Sequence, residues 1–83
     1  MAAGASKGWI NGARRKVITH AAKELTAAGV AFEKKSSTEL SGEGFRVVPN
    51  VLRASNGEVA VLLHVSGGAE KKAEISKVLR LWY

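Results

Sequence analysis

The chain has no cysteine and no aspartate, a single proline, one methionine, and few aromatics: two tryptophans, two phenylalanines and one tyrosine. Without cysteine, disulfide staples, thiolate zinc sites and cysteine nucleophiles are excluded. A small domain that manages without disulfides fits an intracellular setting, and a cytoplasmic location is the expectation. Without aspartate, the acids reduce to seven glutamates spread among charged positions, with no pair set apart for acid–base work. No run approaches the ~18 apolar residues of a membrane span. The opening "MAAGASKGWINGARRK" has no apolar segment after its first charge, so neither a signal peptide nor a membrane partner is expected.

Negative charge is also scarce. Thirteen lysines and arginines face seven acids, a net charge of +6. The excess belongs to the two ends of the chain. Residues 7–35 hold Lys7, Arg14, Arg15, Lys16, Lys23, Lys34 and Lys35 against Glu24 and Glu33 alone. The middle of the chain is slightly acidic, and the last fourteen residues are basic again. Such a balance favours acidic partners, nucleic acid first among them. With 46% hydrophobic and 24% charged residues, the composition is that of a folded domain. At 83 residues it is one domain, read as a loose tail over 1–6 and a single folded unit over 7–83.

Helical periodicity opens the folded unit. Ile10, Val17, Ala21, Leu25 and Ala28 form one stripe at 100° per residue, with Ile18 at its edge. Lys16 and Lys23 fall opposite that stripe and Arg15 on a flank. Ser6 or Asn11 can cap the helix, Gly29 can close it, and its secure part is 12–28. "VAFEKK" at 30–35 alternates as a half-buried strand does, whereas "SSTELSGEG" reads as turn-rich and irregular. "GFRVV" resumes a strand, and Pro49, having no N–H, predicts a bulge or an edge-strand break. Asn56-Gly57 predicts a two-residue type I′ turn joining two strands. In that register Leu52 faces Val61 and Ala54 faces Val59 on the core side with Leu63 and Val65, while Arg53, Ala60, Leu62 and His64 take the other side. A last helix follows Ser66-Gly67-Gly68, with Ile75, Val78, Leu79 and Trp82 on its apolar stripe, and Glu70 and Arg80 placed to suit its dipole. The expected fold is α+β: an α-β-β-β-α order, a three-stranded antiparallel meander with both helices packed on one face.

Chemistry-bearing constellations are sparse. His20 falls on the helix face away from the core, and His64 reads as a partly buried structural residue. No H-E-x-x-H, phosphate-binding loop or G-x-S-x-G occurs, so no enzyme activity, metal or cofactor is expected. "SGEGFR" has glycines but neither the lysine nor the helix that a phosphate loop needs. The junction "SGGAEKKAEI" is more suggestive. Its glycines lead into a helix whose first amides are free to meet an anion, with Lys71 and Lys72 alongside, although Glu70 competes for the same dipole. Trp9, Trp82 and Tyr83 lie near the chain ends beside basic residues, where they can pack, stack on bases or meet a protein.

In order of elements, with a lysine pair opening the last helix, the chain resembles the double-stranded-RNA-binding domains. "GEVAVLLHV" before the final helix is also similar to the last strand of HicA-like toxins, whose catalytic histidine has no counterpart in the first two strands here. The first resemblance implies phosphate contact through Lys71 and Lys72. The expectation is a non-enzymatic binding module whose basic surface contacts RNA or DNA phosphates with little sequence preference, through Arg14, Arg15, Lys16, Lys23, Lys34, Lys35, Lys71 and Lys72. The alternatives are a protein-binding module or small inhibitor docking on an acidic partner, and a self-associating subunit of a larger assembly that uses an open sheet edge.

Overall fold

A computed structural model describes residues 7–80. The elements run α1 (Lys7–Ala27), β1 (Glu33–Ser36), β2 (Glu39–Gly42), β3 (Phe45–Arg53), β4 (Val59–Gly67) and α2 (Ala69–Val78). The strands form one antiparallel sheet in the order β1-β2-β3-β4. Both helices contribute to the same buried cluster and so cover the same face of the sheet. The α+β meander with helices on one side therefore stands, but it has four strands where three were expected. The added strand is β2, from the stretch expected to be irregular. Leu40 supplies the reason: it is fully buried between Lys34 and Val47 in the ladder, so a four-residue strand forms around one core side chain. Ser6, Trp82, Tyr83 and the stretch 1–6 expected as a tail lie outside the described residues.

The core gathers at one end of the long β3–β4 hairpin. Ile18, Ala21 and Leu25 of α1 meet Leu40, Phe45, Val47 and Val65 of the sheet, Ile75 of α2 and Leu79 at its C-cap. The stripe of α1 is rotated from the expected one. Ile18 is fully buried at its centre, Val17 is only half-buried and Ala28 is exposed. Gly29 closes the helix as expected, with φ 74° and a bond donated by the Val30 amide to the Leu25 carbonyl at 2.9 Å.

The hairpin turn differs from the expected one by a single residue, with large consequences. The Ala54 amide donates to the Glu58 carbonyl at 2.9 Å and the Gly57 amide to the Ala54 carbonyl at 3.0 Å. Only Gly57 takes a positive φ, 88°, so the loop is Ser55-Asn56-Gly57: three residues, with glycine at its last position. The extra residue shifts the register so that Val51 pairs Val61, Arg53 pairs Val59 and Leu52 pairs Ala60. A one-residue shift exchanges faces, and Leu52 turns outward, 46% exposed. His64, on the same open face opposite Val48, is exposed, not partly buried.

Pro49 makes no bulge. The β3–β4 register is unbroken from Phe45↔Gly67 to Arg53↔Val59. Counting back in steps of two from the Ala54–Glu58 bond, the even-numbered residues of β3 bond to β4 and the odd-numbered ones face β2. Beyond the Leu40↔Val47 pair β2 has ended, so the missing N–H of Pro49 faces an open edge and no ladder bond is lost.

Candidate nucleic-acid interface

The helical layer and the open sheet face divide the charge between them. On the open face the basic side chains are neutralised: Arg46 Nε lies 3.6 Å from Glu39 Oε2, and Lys35 Nζ lies 2.7 Å from Glu33 Oε2. The hydrogen bond from Lys35, reinforced by its charge, holds the Glu33 carboxyl below its ordinary range; the same bond and charge raise the Lys35 ammonium. With Glu33 depressed, that attraction is present above the carboxylate's unfolded value and is lost only as pH falls through the folded one. Lys35 therefore enters any neutral solution already paired.

On the solvent side of α1 the pattern is different. Arg15, Lys16 and Lys23 are exposed and no ion pair engages them among the described residues. Lys16 and Lys23 stand seven residues apart, two turns and about 10.5 Å along the axis. Small residues lie around them. A depression of 300 Å³ is lined by Trp9, Gly12, Ala13 and Lys16, and another of 420 Å³ by Thr19, Ala22, Lys23, Thr26 and Ala27. Trp9, 53% exposed, precedes Lys16 by another seven residues and so extends the same line. The acid of this helix, Glu24, sits on the other flank, 3.7 Å from His20.

Arg14 behaves otherwise. Its place in the apolar stripe of α1 puts it on the core-facing side, half-buried between Ile10 and Ile18. Its Nη1 reaches Asn11 Oδ1 at 3.5 Å, and its Nε is buried without a partner. It is part of the packing and is not presented as Arg15 and Lys16 are.

The start of α2 is mixed. Gly68 is its extended N-cap and offers no side-chain bond, and Glu70 stands in the first turn. Lys71 Nζ lies 3.4 Å from Glu74 Oε2 and 5.9 Å above the centre of the Phe45 ring. Its Cγ lies 3.6 Å from where a Cβ on Gly44 would stand. Lys71 thus helps cover the core, whereas Lys72 is exposed and without an ion-pair partner among the described residues. Lys34 pairs with Leu40 across β1 and β2 and so stands on the helix-covered side of the sheet, exposed at its edge.

The fold therefore brings the end of α1, the β2–β3 turn and the start of α2 together, around a hollow of 440 Å³ whose lining includes Gly29, Glu43, Phe45, Lys71 and Glu74. Two glutamates line that hollow against one lysine, so it is no anion site. Of the eight expected contacts, Arg15, Lys16, Lys23, Lys34 and Lys72 project from the helical side. Lys35 and Lys71 are paired, and Arg14 is packed. Among the described residues no group of three histidine or carboxylate side chains could hold a metal, and no helix is long and apolar enough to cross a membrane. Comparison of the chain with protein-family models, curated proteins and solved structures found no match.

Proposed function

We propose that the protein is a small binding module whose helical layer contacts nucleic-acid phosphates, with Lys16 and Lys23 at the centre of the contact and Arg15, Lys34 and Lys72 around them. What supports the reading is the unneutralised solvent side of α1, where three cations stand among glycine, alanine and threonine. Side chains that small let a phosphate backbone approach the helix closely, and lysines two turns apart can each take a phosphate as point charges. Lysines placed as point charges on phosphates carry no base readout, so a contact centred on Lys16 and Lys23 is largely sequence-tolerant. Trp9 adds an aromatic surface on which an unpaired base can stack.

The test is fluorescence anisotropy with a labelled RNA duplex, a DNA duplex and a single strand, each measured over a range of salt. Lys16→Glu with Lys23→Glu abolishes binding at physiological salt, while Lys35→Glu changes it little because that lysine is already paired. Unchanged affinity in the double variant refutes the reading. A complex recovered from lysate that survives nuclease, and depends on the same two lysines, would assign the face to an acidic protein instead.

A further inference from the structure

We propose that two copies of this chain form a two-fold symmetric dimer by antiparallel pairing of their β4 edges, joining the two sheets into one of eight strands.

The inference starts from how the sheet treats its edges. Folded proteins blunt an open edge with short strands, bulges, proline or charge, because unpaired backbone groups recruit another strand. The β1 edge has three of these: four residues, a register shift between Lys34 and Ser36, and two lysines. The free stretch of β3 has Pro49, turned so that its missing donor faces outward. The β4 edge has none. It is nine residues long, reads "VAVLLHVSG", holds no lysine, arginine, glutamate or proline, and keeps an unbroken register. Its odd-numbered residues, Val59, Val61, Leu63 and Val65, turn their N–H and C=O groups away from β3 by the same alternation that frees Pro49. Those groups have no hydrogen-bond partner among the described residues. A strand so protected on the other edges and so bare on this one is fitted for pairing.

The occupant is a second copy because the edge is complementary to itself. An antiparallel two-fold that engages all four outward residues has one register, Val59 with Val65 and Val61 with Leu63 of the mate. That register sets Leu62 directly against Leu62 of the mate, at a non-hydrogen-bonded position where side chains come closest. Leu62 is 42% exposed on the open face, so this contact removes apolar surface that the monomer leaves in water. The strand holds no lysine, arginine or glutamate, so the thirteen lysines and arginines of each chain all lie off the seam. The two-fold axis stands perpendicular to the sheet, so both helical layers come to lie on the same side of the dimer.

The register gives a sharp test, made easier because the chain has no cysteine. Paired non-hydrogen-bonded residues lie at a Cα separation within disulfide range. Under mild oxidation Leu62→Cys gives a covalent dimer. Leu52→Cys, comparably exposed on the same face but one strand in from the edge, stays monomeric on a denaturing gel. In the wild-type protein, sedimentation gives twice the monomer mass, and raising the concentration slows hydrogen exchange at the Val61 and Leu63 amides by on the order of tenfold or more. The Val51 amide, on the free edge of β3, is not slowed. A protein that sediments as a monomer while Val61 and Leu63 exchange freely overturns the proposal. So does equal crosslinking of the two cysteine variants, which would place the contact on the open face instead of the edge.

Discussion

Arg14 occupies the apolar stripe of α1, one turn after Ile10 and one turn before Ile18, so the period that buries those two carries a guanidinium with them. Placed on the core-facing stripe of α1, it holds a guanidinium half out of water with its Nε unpaired. An unsatisfied buried donor costs about 1–3 kcal/mol. Arg14→Met keeps the length and apolar stem of the side chain and removes that donor, so it should raise stability by about 1 kcal/mol in urea unfolding without weakening nucleic-acid binding. Loss of both would return Arg14 to the surface. Gly42 is constrained in the opposite sense. The Phe45 ring lies across it, so a Cβ there would run into the ring, with the Ala31 carbonyl 3.0 Å away on the other side. The ring is itself held beneath the Lys71 ammonium. Gly42→Ala should cost about 2 kcal/mol through overpacking, read as a lower urea midpoint with an unchanged slope.

At the scale of the element, the β3–β4 hairpin departs furthest from the expected structure. Asn56-Gly57 announces a turn, and a turn is there, but two-residue and three-residue loops share that signal. What separates them is which residue receives the positive φ. Here Asn56 instead accepts a hydrogen bond from the Glu58 amide at 3.0 Å through its side-chain oxygen, and Gly57 alone turns left-handed. Gly57→Ala should therefore destabilise the protein by about 1 kcal/mol. Asn56→Gly, which favours the two-residue turn, should not stabilise it; a stabilised variant would mean the shorter turn is accessible. Leu52 was legible as apolar and as part of a strand. Its face was not, because alternation fixes which residues share a side but not which side the helices choose. The β2 strand was illegible for a related reason. A single inward leucine among serines, glycine and glutamates has no period to detect, and it becomes a strand only because Phe45 and Val47 lie alongside.

At the scale of the whole molecule, charge and shape decide. The extents of 42 × 23 × 18 Å are set by the long hairpin and α1, each about 30 Å. A slender domain of 83 residues presents α1 along most of its length, so phosphate contacts are spread along a line. If three to five phosphates are engaged, log K against log salt should fall with a slope of about −3 to −4.5 on a duplex, and each lysine lost from α1 should flatten it by about 0.9. Lys71→Glu should flatten it less, because that ammonium is shared with Glu74. Equal effects of Lys16→Glu and Lys71→Glu would move the contact toward the start of α2.

The sequence by itself determined the class of the protein: two helices, an antiparallel sheet, a basic chain without thiol chemistry, and the left-handed glycine that ends α1. These follow from local periodicity, turn chemistry and composition, which act between neighbours in the chain. The tertiary structure alone decided which cations stand free. Glu33 and Glu39 neutralise Lys35 and Arg46 on one face, Glu74 engages Lys71, and packing withdraws Arg14, while Lys16 and Lys23 are left to solvent. It also decided that β4 is the bare edge, since an edge exists only once every other strand has found its place. Charge pairing, face selection and edge exposure depend on the directions in which side chains and backbone groups point across space, and those directions are set when the layers pack.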